Sequence, residues 1–130
     1  MKKILIIDDD ADFVEINRTV LEAAGFAVKH AYSGKDGVAA ALADPPDLVI
    51  LDLMMEHWDS GFVAARRIKG DPATAGVPVL MLTGVTRETG MSFDLDSPGE
   101  REWIKADMFL SKPLRPEELL QRVKAVLGLA

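Results

Sequence analysis

The sequence predicts a doubly wound α/β domain, a parallel sheet of five strands with helices packed on both faces. Three observations carry this. Short apolar runs rich in β-branched residues alternate with stretches of helical periodicity. The runs are apolar at successive positions rather than at every second one, the pattern of strands buried on both faces. The chain has 130 residues, the usual size of one domain around one core.

The elements follow in order. Lys3 to Ile7 is the first strand, ended by Asp8, Asp9 and Asp10. Phe13, Ile16, Val20 and Ala24 then step by three and four as a helix closed at Gly25, with Asp10 and Asp12 capping and charging its start. Ala27 to Ala31 is the second and weakest strand. Ser33 is placed to cap a helix carrying Val38, Ala41 and Leu42, which Pro45 and Pro46 stop. Leu48 to Leu51 is the third strand, followed by a helix with Ser60 as its cap and Phe62, Ala65 and Ile68 on its inner face. Arg66, Arg67 and Lys69 form a basic cluster on the solvated side of that helix.

Val77 to Leu82 is the fourth strand, with Pro78 tolerated because it falls at the start. Gly84 to Asp107 is a long irregular stretch, within which Ser97-Pro98-Gly99-Glu100 reads as a capping box opening a short helix through about Lys105. Trp103 and Phe93 are expected to pack it down. Met108 to Leu110 is the fifth strand. The last helix repeats Leu119, Val123 and Val126, with Pro116 in its first turn, Glu117 and Glu118 at the positive end of its dipole, and Gly128 after it. Strand and helix alternating in so short a chain imply right-handed crossovers covering both faces of the sheet.

Composition narrows the function. Cys is absent, which removes disulfides, thiolate metal sites and cysteine nucleophiles. The net charge of −6 and a pI near 4.8 argue against nucleic acid or an anionic membrane as partner. No apolar run approaches the length of a membrane span, so a soluble, cytoplasmic protein is expected. With 48% hydrophobic and 28% charged residues, a packed core forms without staples.

Open α/β sheets bind ligands at the carboxyl ends of their strands, where strand order reverses. Here the first strand runs into Asp8 and Asp9, the third into Asp52, the fourth into Thr83, and the fifth into Ser111 and Lys112. The second runs into Ala31-Tyr32-Ser33, without charge. The order 2-1-3-4-5 sets the four polar ends side by side and the bland one outside. Two carboxylates about 4 Å apart repel by roughly 4 kcal/mol at an effective dielectric near 20. A hard divalent cation offsets that repulsion, and Mg²⁺ suits one or two carboxylates plus waters. Lys112 adds a second positive charge, and an Asp so placed is a nucleophile toward phosphorus.

With these residues the chain resembles the receiver domains of two-component response regulators, over essentially all of its 130 residues. The resemblance implies a CheY-like, flavodoxin-like fold. It makes Asp52 the phosphoacceptor, Asp8 and Asp9 the acidic pair that organises Mg²⁺, and the backbone carbonyl of Met54 a further metal ligand. It makes Thr83 the switch hydroxyl and Lys112 the phosphoryl-binding lysine, with Lys112-Pro113 a dipeptide often joined by a cis bond. Phe109 takes the aromatic switch position, here without a hydroxyl. The implied partners are a histidine kinase or phosphotransfer protein and a downstream protein of unknown identity, met by a monomer or weak dimer.

The expected function is a stand-alone phosphoacceptor switch over residues 1–130 rather than an enzyme, since only three residues follow Leu127. At most it catalyses its own phosphorylation and dephosphorylation. The chain departs from the family at Glu56, where a Pro is usual, and in the length of 84–107. Glu56 and His57 are read as solvated loop residues, and Met54 and Val85 as shields of the acyl phosphate. One alternative is a haloacid-dehalogenase-like phosphatase with Asp8 as nucleophile and Asp10 as acid, against which Ala11-Asp12 departs from that pattern. Another is a receiver-like binding module that works without phosphorylation. A dinucleotide site lacks the Gly-rich turn it needs.

Overall fold

The computed structural model describes residues 1–53, 60–83 and 107–129. Five parallel strands, β1 (Lys3–Ile7), β2 (Ala27–Ala31), β3 (Leu48–Asp52), β4 (Val79–Thr83) and β5 (Met108–Ser111), form one sheet in the order β2-β1-β3-β4-β5. The described helices are α1 (Ala11–Ala23), α2 (Gly34–Ala43), α3 (Ser60–Gly70) and α4 (Pro116–Val126). The strand order is the one expected from the distribution of polar strand ends. It makes β1 and β3 central neighbours, with Ile7 beside Leu51, and carries Asp52 next to Leu82.

Successive residues of each strand serve opposite layers, because strand side chains alternate between faces. Leu5, Ile7, Val49, Leu51, Val79 and Met81 pack toward α2 and α3, where Val38, Ala41, Phe62, Ala65 and Ile68 meet them. Ile4, Ile6, Leu48, Ile50, Leu80 and Leu82 pack toward the other face, against Val14 and Leu21 of α1 and Leu119 and Val123 of α4. All residues of β3 and β4 are buried, which explains why these runs show no polar alternation.

The punctuation holds at most positions. Asp10 caps α1 by accepting from Asp12 N and Phe13 N, and Ser33 caps α2 by accepting from Asp36 N. Gly25 and Gly128 have φ of 99° and 73°, the left-handed region that lets the chain leave a helix. Arg115 precedes Pro116 without a side-chain capping bond. Ser60 is a correction, since it is the first residue of α3 and not the cap before it.

Other boundaries and faces also shift. β4 begins at Val79 rather than Val77, and β3, β4 and β5 each extend one residue further, to Asp52, Thr83 and Ser111. The buried face of α1 is Val14, Asn17 and Leu21, whereas Ile16 and Ala24 lie exposed. Asn17 tolerates burial because its Nδ2 donates to Phe13 O at 2.8 Å, within the helix. On α2, Val38 and Ala41 are buried but Leu42 is exposed. Lys69 does not belong to a solvated face: its Nζ is 2.7 Å from Asp107 Oδ2 and donates to Val77 O at 2.7 Å. It fastens the end of α3 to both β4 and the start of β5, where Asp107 also accepts from Val79 N. His30 lies exposed on the edge strand β2, its ring 5.0 Å from that of Tyr32.

Candidate functional site

At the carboxyl ends of β1 and β3, two buried carboxylates face each other across neighbouring strands. Asp8 is wholly buried and Asp52 is 8% exposed, with the exposed Asp9 beside them. One oxygen from each of the three lies within 4.8 Å of the others. An all-oxygen set at this spacing fits a hard cation such as Mg²⁺. Asp8 is held by its own loop, Oδ1 accepting from Asp10 N at 2.9 Å and its backbone N donating to Ala31 O.

Lys112 arrives from the other side of the sheet. Its Nζ lies 2.9 Å from Asp8 Oδ2 and 3.6 Å from Asp52 Oδ2. Burial is the largest single influence on this ammonium and pulls its pKa down. The hydrogen bond to Asp8 and the charges of Asp52 and Asp8 together outweigh it, so the pKa stands above the ordinary lysine value. The Lys112-Pro113 bond is cis, as the resemblance implies.

Thr83 ends β4 one position beyond Leu82, the partner of Asp52 in the ladder. It is 8% exposed, its Oγ1 makes a long 3.4 Å contact to Leu110 O, and its carbonyl accepts from Lys112 N at 2.7 Å. Phe109 lies on β5 opposite Met81 and packs, half-buried, toward the α2 and α3 layer. The start of α3 is held close to the end of β3, because Gly61 N donates to Leu53 O at 2.8 Å.

The structure thus brings together Asp8, Asp9, Asp52 and Lys112, with Thr83 on the adjoining strand end. Met54, Glu56, His57, Trp58, Val85, Phe93, Trp103 and the helix expected after Ser97 lie outside the described residues. Asp10, the acid of the phosphatase alternative, commits Oδ1 to capping α1, at 3.1 Å from Asp12 N and 3.2 Å from Phe13 N. One neighbour of the cluster was not singled out from sequence. Phe13 reads there as one more apolar helix residue, yet its ring centroid lies 4.4 Å from Lys112 Nζ. Its place in the first turn after the acidic triplet is the feature that points to it. A cavity of about 430 Å³ lies away from these residues, near the amino ends of β1 and β2, lined by Lys3, Leu5, Ala27, Lys29 and Asp44 among others.

Comparison with known proteins agrees with this geometry. The family profile described as the response regulator receiver domain matches residues 4–124. The chain is 43% identical over 130 residues to the DNA-binding dual master transcriptional regulator RpaA of Synechocystis, covering 98% of this chain and 49% of RpaA. It is 35% identical over 128 residues to Protein PilH of Pseudomonas aeruginosa, covering 98% of this chain and 99% of PilH. Among solved structures, the chemotaxis response regulator CheY4 of Vibrio cholerae superposes with a TM-score of 0.82 at 27% identity, over 97% of this chain and 98% of CheY4. The chain spans about half the length of RpaA and of the other curated regulators that head its relatives. Strand order, acidic strand ends and a profile match along nearly the whole chain agree, and the chain belongs to the response regulator receiver domain family.

Proposed function

We propose that this receiver accepts a phosphoryl group on Asp52 from a histidine kinase or phosphotransfer protein. The signal then passes through contact with another protein or by onward relay. The observation that carries the reading is the meeting of Asp8, Asp9 and Asp52 with the Lys112 ammonium at the strand ends. Three carboxylates and one lysine leave the cluster short of positive charge, a deficit that a divalent cation fills. Asp8, Asp9, Asp52 and the backbone carbonyl of Met54 are the proposed ligands. Mg²⁺, when bound, offsets the carboxylate charge and that of an incoming phosphoryl group.

The remaining chemistry falls to the chain. An Asp52 oxygen attacks phosphorus, the P–N bond of a phosphohistidine breaks, and its electron pair goes to the imidazole nitrogen, which is protonated from solvent. Lys112 pairs with a phosphoryl oxygen and the Thr83 hydroxyl donates to another. Thr83 and Phe109 then form the element whose two arrangements the new charge biases. The use of Asp10 as a helix cap favours this reading over the phosphatase pairing of Asp8 with Asp10.

The test is incubation with acetyl phosphate and MgCl₂, read by intact mass. One phosphoryl adduct is expected in the parent and none in Asp52→Asn. An adduct that persists in Asp52→Asn, or maps to Asp8, overturns the assignment.

A further inference from the structure

We infer that Phe13 is a positioning residue for Lys112: its ring face holds the ammonium against Asp8 and Asp52 and away from solvent. The consequence for phosphoryl acceptance rests on the reading of Asp52 and Lys112 given above. The placement of Phe13 does not.

The geometry forms a closed circuit. Asp8 Oδ1 accepts from Asp10 N, Asp10 Oδ1 caps α1 through Phe13 N, the Phe13 ring lies under Lys112 Nζ at 4.4 Å, and Nζ returns to Asp8 Oδ2 at 2.9 Å. A ring face carries negative potential and attracts a cation within about 6 Å of its centroid. Lysine is a flexible stem that ends in a strongly hydrated point charge, and the Lys112 side chain is 24% exposed, so it is not fixed by enclosure alone. The carboxylates pull it inward from one side. Phe13 occupies another side with a surface that attracts the charge and excludes water. The ring is itself fixed, since Phe13 packs half-buried on the α1 and α4 core layer and the Asp10 cap sets the turn that carries it. An aliphatic residue of similar volume would fill the space without attracting the ammonium, which makes the inference separable from packing.

The experiment uses the full chain with lysine side chains ¹³C-labelled, the Lys112 signal being the one lost in Lys112→Gln. In the parent, the Lys112 ε-methylene protons should be shifted upfield of the other lysines by the ring current. The shift should persist in Phe13→Tyr and vanish in Phe13→Leu and in Phe13→Met, the second variant being kept in case the first folds poorly. With acetyl phosphate and MgCl₂, kcat/KM for labelling of Asp52 should fall about three- to ten-fold in Phe13→Leu with Mg²⁺ affinity unchanged, and Phe13→Tyr should restore it. In a Lys112→Gln background, Phe13→Leu should change the rate less than about two-fold, because the partner it acts through is gone.

A parent without the upfield shift overturns the inference, as does an equal loss from Phe13→Leu with and without Lys112. A parent that takes up no phosphoryl group removes the phosphoacceptor reading instead. The ring-current series then decides the placement of Phe13 on its own.

Discussion

Asp8 and Lys112 stand 104 positions apart in the chain and 2.9 Å apart in the fold, the first wholly buried and the second a quarter exposed. A buried carboxylate needs a partner, and this lysine lies within ion-pair distance of both Asp8 and Asp52. The pair links the first strand to the turn after the last one, across β3 and β4. It therefore reports on whether β1, β3, β4 and β5 have come together.

Lys112→Ala should destabilise the metal-free protein by about 3 kcal/mol, because removing one member of a buried pair leaves the other charge uncompensated. Urea unfolding in the presence of EDTA measures this. Adding Asp8→Asn to Lys112→Ala should recover most of the loss, since the stranded charge is then gone. A loss that the second substitution does not touch would place the role of Lys112 in packing.

Mg²⁺ should stabilise the folded chain by mass action, about 2.7 kcal/mol at a hundred-fold excess over its dissociation constant, because the clustered oxygens exist only when the sheet is formed. Asp9→Ala should remove most of that gain while leaving the metal-free melting temperature nearly unchanged, as Asp9 is exposed. Thermal melts across a MgCl₂ series provide the measurement. A melting temperature insensitive to millimolar Mg²⁺ would count against the cluster as a cation site.

Gly61→Ala should disturb the site from outside it. A Cβ there would lie 2.4 Å from Leu53 Cα, 2.5 Å from Leu53 O and 2.6 Å from Asp52 O, all backbone atoms that a side-chain rotation cannot clear. Either the start of α3 or the end of β3 must shift, at a cost of about 1–3 kcal/mol. We expect slower labelling of Asp52 at a temperature where the variant is still folded, because the backbone of Asp52 is among the atoms displaced. An alanine variant that labels at the parental rate would show that α3 yields and leaves the end of β3 in place.

Asp44 supplies the pH dependence. Lys29 and then Lys3 hold its carboxyl at about 2, through contacts of 2.8 and 2.7 Å. A depressed folded pKa means that the contribution is present above the ordinary value of 3.8 and is lost as pH falls from there through about 2. Asp44→Asn should lower the melting temperature by a constant amount above pH 4, and the two curves should meet near pH 2. Because all three side chains are more than a third exposed, raised salt should shrink the difference.

The sequence alone was enough to read the class of fold, the strand order and the acidic residues and lysine that gather at the strand ends. Runs such as Leu48 to Leu51 are apolar at every position only because both faces of the sheet are covered, so covering layers and parallel pairing follow from composition. The residues at strand ends were legible for a related reason. A charge such as Asp52 that directly follows a fully buried run has nowhere to go but the rim of the sheet, and covalent continuity places it there.

Faces and partners needed the tertiary structure. Periodicity admits Phe13, Ile16, Val20 and Ala24 as a stripe on α1, yet the core takes Val14, Asn17 and Leu21. The bond from Asn17 Nδ2 to Phe13 O satisfies the amide inside the helix and lets a polar residue turn inward beside Val14 and Leu21. Lys69 looks like any lysine of a basic face until Val77 O and Asp107 arrive beside it from the residues just before β4 and β5. Phe13 offers no chemistry in the sequence and gains it only because Lys112 is folded over its ring. The contacts of Lys69 with Asp107 and of Phe13 with Lys112 join residues whose separation along the chain carries no information about their distance. Local propensity determines which element a residue enters, and only the closing of the sheet and its layers determines what that residue meets.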